Sequence, residues 1–217
     1  MGKIYQGILG GVSSKVGSVV GASWKGIPTL RVYQPNVSNP KTAAQVKVRN
    51  SFSFLSVIAS LALAGFIKPL WDRDAVRMSG YNAFIGANKA LAGKNNSEIL
   101  EGLKASKGKM QAPVVTLQQS GSLPATGVAI TASNGRYELP SDKIYCLVIN
   151  AAGEVLRGGD TGTTRQTGGF TFKQVPEIEK GENGDECYVY VAALRADGTI
   201  VSDSVTAVAA NGINAAV

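Results

Sequence analysis

The spacing of apolar residues indicates a long helix in the first half of the chain. Between residues 44 and 62, apolar side chains recur at steps of three and four, which predicts an amphipathic helix. Asn39 is a suitable N-cap, and Pro40 suits the first helical position. Gly65 and Pro69 should end the helix, because both residue types interrupt helical structure.

The stretch that follows predicts a second helix and then a boundary. Residues 57–67 are apolar on every side of the first helix, so we expect both of its faces to be covered. Aromatic and aliphatic residues share one face over 80–91, which predicts the second helix. Residues 94–111 are polar and rich in lysine, and we place a domain boundary after residue 111.

The segment before the first helix predicts extended structure with sharp turns. Residues 16–20 and 29–33 are short strand-like runs, and Lys25-Gly26 between them is a suitable hairpin tip. Its many glycines weaken the strand register and let other backbones approach closely. We therefore expect an arm that gains order when it packs on a neighbouring subunit.

Beyond residue 111 the pattern changes from helical to alternating. Within 187–194 the even positions carry Tyr188 and Tyr190, and the odd positions carry smaller apolar residues. Six or seven short strands in about 100 residues are typical of an immunoglobulin- or fibronectin-III-like β-sandwich. The predicted fold is α+β, with an N-terminal hairpin and helices over 1–111 followed by that sandwich over 112–217. The strand-like runs are 113–118, 128–132, 143–150, 169–173, 187–194 and 200–208.

Charge divides the chain in the same way. Up to Trp71 there are eight Lys or Arg residues and no Asp or Glu. The net charge is +11 over 1–111 and −4 over 112–217, which gives the +7 of the whole chain. Such a chain can attract copies of itself head to tail, or it can present its basic end to nucleic acid.

The residue inventory points away from catalysis. The chain has no histidine, which excludes a Ser-His-Asp triad, a Cys-His pair and a histidine metal site. Cys146 and Cys187 lie in apolar alternating runs, so we expect buried thiols, and one disulfide stays open if their strands are neighbours. We predict no catalytic residue, no cofactor and no metal site, and we expect a protein that is not an enzyme.

No segment predicts membrane insertion. The most apolar run, 57–67, is shorter than the roughly 20 residues that a spanning helix needs. The first residues are interrupted by polar side chains and do not resemble a signal peptide. We therefore expect synthesis in the cytoplasm.

The basic N-terminal half holds the candidate sites. Tyr5, Trp24 and Tyr33 are interleaved with its cations, and such aromatics either stack on bases or anchor protein interfaces. An ordinary solvated face, a protein interface and a nucleic-acid site all stay open. The candidate anion-binding residues are Lys15, Lys25, Arg31, Lys41, Lys47 and Arg49. The candidate interface residues are Tyr5, Ile8, Leu9, Val19, Val20, Trp24, Phe52, Leu55, Ile58 and Phe66.

Several of these motifs resemble a known family. The glycine-rich run over 7–26, the Asn39-Pro40-Lys41-Thr42 motif with Gln45, the Asn82-Ala83-Phe84 motif and the hairpin over 189–205 resemble the DUF6266 family of Bacteroidetes and their phages. The resemblance covers nearly the whole chain and departs from the pattern at Ser14, where glycine is expected. It implies an architecture but no activity, and its phage setting implies a virion or assembly component.

The leading hypothesis is a non-enzymatic structural protein. It would self-associate through its N-terminal half into a ring, sleeve or stack, with other virion or assembly proteins as partners and the virion as its destination. An extracellular or cell-surface Ig-like binding or adhesion module is the alternative, with loops such as 157–163 as its recognition surface. A nucleic-acid-binding protein that uses the basic half is a second and less favoured alternative.

Overall fold

The computed structural model describes residues 2–3, 12–121, 123–131, 135–172 and 186–214. These residues form an α+β fold, as predicted, with helices between two groups of strands. The helices are α1 (Ala43–Leu61), α2 (Lys68–Trp71), α3 (Gly80–Ala87) and α4 (Asn96–Gly102), with a π-helical turn at Leu63–Ile67. The strands are β1 (Gly2–Lys3), β2 (Ser14–Val16), β3 (Val19–Trp24), β4 (Ile27–Val32), β5 (Val114–Gln118), β6 (Gly127–Thr131), β7 (Lys143–Asn150), β8 (Val155–Thr164), β9 (Gly169–Thr171), β10 (Cys187–Leu194) and β11 (Val205–Ala209).

The strands form three antiparallel sheets. The N-terminal sheet has the order β1-β4-β3-β2, and its β3–β4 turn lies at Lys25-Gly26 as predicted. The central sheet has the order β11-β10-β7-β8, and the outer sheet has the order β5-β6-β9. Glycine at position 17 adopts φ +58° in a second turn, so the predicted strand over 16–20 is divided between β2 and β3.

The central sheet is covered on both of its faces. Tyr188 and Tyr190 point to one face and pack with the helices, whereas Val189 and Val191 point to the other and pack with the outer sheet. Successive side chains of a strand point to opposite faces, so the alternation in the sequence predicted this division. Every residue of β10 is buried. The described residues therefore form three layers: the helices, the central sheet and the outer sheet.

The helical layer and the central sheet share one hydrophobic cluster. It extends from Leu55 to Ala105 and from Tyr145 to Val201, so it contains residues from both sides of the predicted boundary at 111. A polar contact joins the same two layers. The Tyr190 hydroxyl, on β10, donates to the Leu100 carbonyl, on α4, at 2.5 Å.

Helix α1 begins three residues later than an Asn39–Pro40 start requires. Thr42 is the N-cap: its hydroxyl accepts from the Gln45 amide, and the Gln45 side chain accepts from the Thr42 amide, both at 3.4 Å. This reciprocal capping box satisfies two amides that the helix leaves without partners. The Asn39 side chain instead accepts a hydrogen bond from Arg49.

The helical path also continues past the two residues that were expected to end it. After α1 the π-helical turn holds Gly65, and Pro69 lies in the first turn of α2, where proline is tolerated. Helix α1 and the stretch from Leu63 to Trp71 are the two arms of this bent path, and the bend between them is 71°. Within the described ranges no single helix has the length and apolarity to cross a membrane, and only this bent pair reaches them when its arms are taken together.

Two elements were missed and one began later than expected. Strand β8 includes residues 157–163, which were expected as an exposed loop, and α4 lies within the predicted polar segment over 94–111. The predicted last strand began at residue 200, but β11 begins at Val205. Before it, residues 200–204 contain only isolated β-bridges, at Val201 and Ser202.

The two cysteines are buried, and neither forms a disulfide. Their strands are neighbours, but Cys146 lies opposite Val191 and Cys187 lies opposite Asn150. A separation of four residues along antiparallel strands corresponds to about 14 Å at roughly 3.4 Å per residue. A disulfide needs Cα atoms within about 7 Å, so this fold does not join them.

Candidate assembly surface

Most of the segment before Leu55 is exposed, and of its described residues only Gly21 and Ser51 are buried. Among the described residues, neither hydrophobic cluster includes a residue before Leu55. All residues over 31–50 are exposed, and they include the first eight residues of α1. A helix of that length has marginal stability in water without packing. The apolar side chains Val46 and Val48 on it are 38% and 46% exposed.

The N-terminal sheet has one basic face. Lys15, Val20 and Arg31 lie opposite one another on three adjacent strands, so their side chains share this face. Trp24 lies four residues along β3 on the same face and is 59% exposed. The Lys15 ammonium lies 3.7 Å above the centre of the Tyr33 ring, a cation–π contact. We call these residues the basic face.

The opposite face of the same sheet is apolar. Val16, Val19 and Val32 lie opposite one another across the three strands, and Val16 and Val32 are exposed. Gly21 lies on this face, where a Cβ atom would stand 2.1 Å from the Val12 carbonyl oxygen. The chain before β2 therefore crosses the sheet at a point that only glycine permits.

The six candidate anion-binding residues are all exposed, and the fold distributes them over three places. Lys15 and Arg31 lie together on the basic face. Lys25 stands at the hairpin tip and donates to the Met78 carbonyl at 2.5 Å. Lys41 lies between β4 and α1, and Lys47 and Arg49 lie on α1. Within the described part of the chain, none of the six forms an ion pair.

The candidate interface residues fall into three groups. Val19 and Val20 are half-buried on opposite faces of the N-terminal sheet, and Trp24 and Phe52 are exposed. Tyr5, Ile8 and Leu9 lie outside the described residues. Leu55, Ile58 and Phe66 belong to the first hydrophobic cluster and are at most 2% exposed.

The last group corrects the expectation that these residues face a second chain. From Leu55 onward, α1 and the π-helical turn lie on the central sheet, so these three side chains hold the helical layer to its own chain. Hydrophobic spacing shows that α1 has an apolar stripe, but it does not show which partner covers each turn.

A groove that the sequence did not indicate lies beside α1. It has a volume of about 560 Å³, and its walls come from α1, Asn96 and the turn between β7 and β8. Val57 and Leu61 line it and are 52% and 61% exposed. Phe54 forms the wall next to Gly153, where an added Cβ would stand 2.2 Å from the ring. One side of the apolar stretch 57–67 is therefore open.

Carboxylates lie at the same end of the central sheet. Glu154 lines the groove, and the Glu186 carbonyl accepts from the Ala151 amide at 3.0 Å in the adjoining turn. Burial raises the pKa of Tyr188 above its ordinary value, and the carboxylates of Glu186 and Glu101 raise that pKa further. The Tyr188 hydroxyl donates to a Glu186 carboxylate oxygen at 3.4 Å. We call Glu101, Glu154 and Glu186 the acidic end.

A buried ion cluster lies in the outer half of the molecule. The Arg165 guanidinium is 3.3 Å from a Glu138 oxygen and 3.5 Å from an Asp142 oxygen, and all three side chains are at most 4% exposed. Backbone amides of Gly135 and Leu139 donate to the two carboxylates. Arg165 comes 23 residues after Asp142 in the sequence, so the spacing gave no signal of this cluster.

Two observations on the described side chains concern metal binding and thiol chemistry. No cluster of three or more Cys, Asp or Glu side chains in the described ranges could hold a metal ion. Burial raises the pKa of Cys146 to about 12, against the opposing effect of Arg157. The thiol is therefore protonated at neutral pH, whereas the nucleophilic form is the thiolate.

Comparison with known proteins gives one match. Residues 10–207 match the model of a family described as "Family of unknown function (DUF6266)". No curated protein and no solved structure matches the chain.

Proposed function

The chain belongs to the DUF6266 family, and from that premise we propose that it is a non-enzymatic structural protein, a phage virion component or a similar assembly component. It self-associates through its N-terminal half into a ring, sleeve or stack. The phage setting of the proposal comes from the resemblance of its motifs, and the self-association comes from its surface.

One observation carries the self-association. The N-terminal sheet exposes Val16, Trp24 and Val32, and the chain that follows it, from residue 31 to residue 50, is exposed throughout and includes two turns of α1. Phe52 extends this apolar surface and is 52% exposed. Exposed apolar surface of this kind is typical of an interaction site, because its burial against a second chain is favourable.

The rest of the molecule serves as the rigid support in this proposal. The central and outer sheets pack face to face, and we propose that they form an immunoglobulin- or fibronectin-III-like sandwich. The helical layer fixes the second half of α1 to that support. In the assembled particle the N-terminal half makes the contacts between subunits, and the sandwich faces outward or binds another virion protein.

Light scattering tests the self-association. The full-length protein is compared with a shortened chain that begins at Lys41, which retains Thr42 and α1 and both hydrophobic clusters. We expect a defined species larger than one chain for the full-length protein and a single-chain mass for the shortened one. A full-length protein that stays monomeric at every soluble concentration would refute the proposal.

A nucleic-acid-binding role is the second candidate, because the basic face combines Lys15 and Arg31 with aromatic rings. In that role the affinity for nucleic acid would fall steeply as the salt concentration rises. An affinity that is the same at low and high salt would refute this candidate. The adhesion alternative relied on a loop over 157–163, and those residues are part of β8.

A further inference from the structure

We infer that the subunits assemble head to tail, with the basic face of one copy docked in the groove beside α1 of the next copy. The inference rests on the proposed function and assigns a donor surface and an acceptor surface to it. The donor is the basic face with Trp24, and the acceptor is the groove lined by Val57 and Leu61 together with the acidic end.

Charge argues against contact between two N-terminal sheets. Each copy carries eight cations and no carboxylate before Asp72, and the six candidate anion-binding residues among them form no ion pair in the described part of the chain. Like charges brought together across an interface repel, whereas opposite potentials guide association and fix the register. The acidic end offers Glu154 at the groove itself. Charge complementarity therefore selects a second copy as the occupant.

The shape and the chemistry of the groove agree with that occupant. A volume of about 560 Å³ accommodates large side chains, and Phe54, Val57 and Leu61 give it apolar walls. Trp24 is the largest exposed apolar side chain on the basic face, and Trp with Arg is the pair of residue types most enriched at interface centres. The groove lining includes no residue of the N-terminal sheet, so the chain does not fill its own groove with that sheet.

The two surfaces lie on different parts of one chain, which sets the symmetry. A contact between unlike surfaces leaves a free donor at one end of the assembly and a free acceptor at the other. Such heterologous contacts continue into rings when the rotation closes and into open stacks when it does not. The geometry of the contact thus accounts for the ring, sleeve or stack of the proposed function.

Mixing two complementary full-length variants tests the inference. The donor-defective variant carries Trp24→Ser with Arg31→Glu, and the acceptor-defective variant carries Leu61→Lys with Glu154→Lys. All four side chains are exposed, so circular dichroism and the melting temperature should match the wild type. We expect each variant alone to have the mass of one chain. Their equimolar mixture should give a species of two chains and nothing larger, because only one contact is intact.

A matched control uses Leu123→Lys, since Leu123 is 61% exposed, as Leu61 is, and lies outside the groove. This variant should assemble as the wild type does. Assembly of the acceptor-defective variant alone would indicate contact between N-terminal sheets and would overturn the head-to-tail inference while the proposed function survives. Wild-type assembly that nuclease treatment dissolves would assign the basic face to nucleic acid and would also overturn it. A monomeric wild type would overturn both.

Discussion

Gly65 should be one of the least replaceable residues of the chain. A Cβ atom at this position would stand 2.0 Å from the Gly158 carbonyl oxygen and 3.1 Å from its carbon. Both atoms belong to β8, whose pairing with β7 holds Gly158 opposite Leu147. On the other side, Phe66 and Ile67 are fully buried. Neither backbone can retreat without breaking contacts that hold the helical layer on the central sheet.

The size of the effect follows from two opposed terms. Overpacking of a well-packed core costs about 1–3 kcal/mol. We take the upper value, about 3 kcal/mol, because the atom that clashes is a backbone atom. Alanine gains about 1 kcal/mol over glycine in helix propensity. We therefore expect Gly65→Ala to lower the free energy of unfolding by about 2 kcal/mol. For a chain of this length that corresponds to a melting temperature lower by about 4–8 °C.

Thermal unfolding followed by circular dichroism, at a fixed protein concentration, measures the change. Gly86→Ala is the matched control, because Gly86 lies in α3 and an added Cβ there meets nothing within 4 Å. The control should raise stability by about 0.4–1 kcal/mol. If Gly65→Ala were as stable as Gly86→Ala, the close approach between the π-helical turn and β8 would be refuted.

Three further substitutions probe separate features. Arg165→Met leaves two buried carboxylates without their cation and should lower the free energy of unfolding in urea by about 3–5 kcal/mol, whereas a loss below about 1 kcal/mol would mean that the cluster is not formed. The pKa of Cys146 is raised to about 12, so its contribution to stability is present below its unfolded value near 9 and is lost as the pH rises toward 12. Cys146→Ala should therefore make alkaline unfolding less steep, and an unchanged pH profile would contradict this. Thr42→Ala should speed amide exchange in the first turn of α1 about fivefold, corresponding to about 1 kcal/mol, while Asn39→Ala should not.

Local signals in the sequence accounted for the elements whose own residues determine them. The alternation over 187–194 predicted β10 and the division of its side chains between two faces, and Lys25-Gly26 predicted the hairpin tip. The α+β class followed from the change of period after residue 111. These features depend on residues that are neighbours along the chain.

Features that depend on distant residues were missed. The glycines at 158 and 159 made β8 look like a loop, yet they lie within the strand, at the place where Gly65 approaches the Gly158 carbonyl. One local feature was also missed: the N-cap is Thr42 and not Asn39, because the reciprocal bond with Gln45 satisfies two amides at once. The apolar stripe of α1 was correctly placed, but its division between the core at Leu55 and the surface at Phe52 depends on where the central sheet lies.

The helical layer and the central sheet bury each other's apolar side chains, so the order in which they are synthesised matters. The helical layer is translated well before β7 and β10, which bury its apolar face. At about 5–20 residues per second, on the order of ten seconds separates Phe66 from Leu194 on the ribosome. During that interval the side chains that will face the sheet have nothing to pack against. We therefore expect the nascent chain to depend on a holding chaperone until β10 emerges.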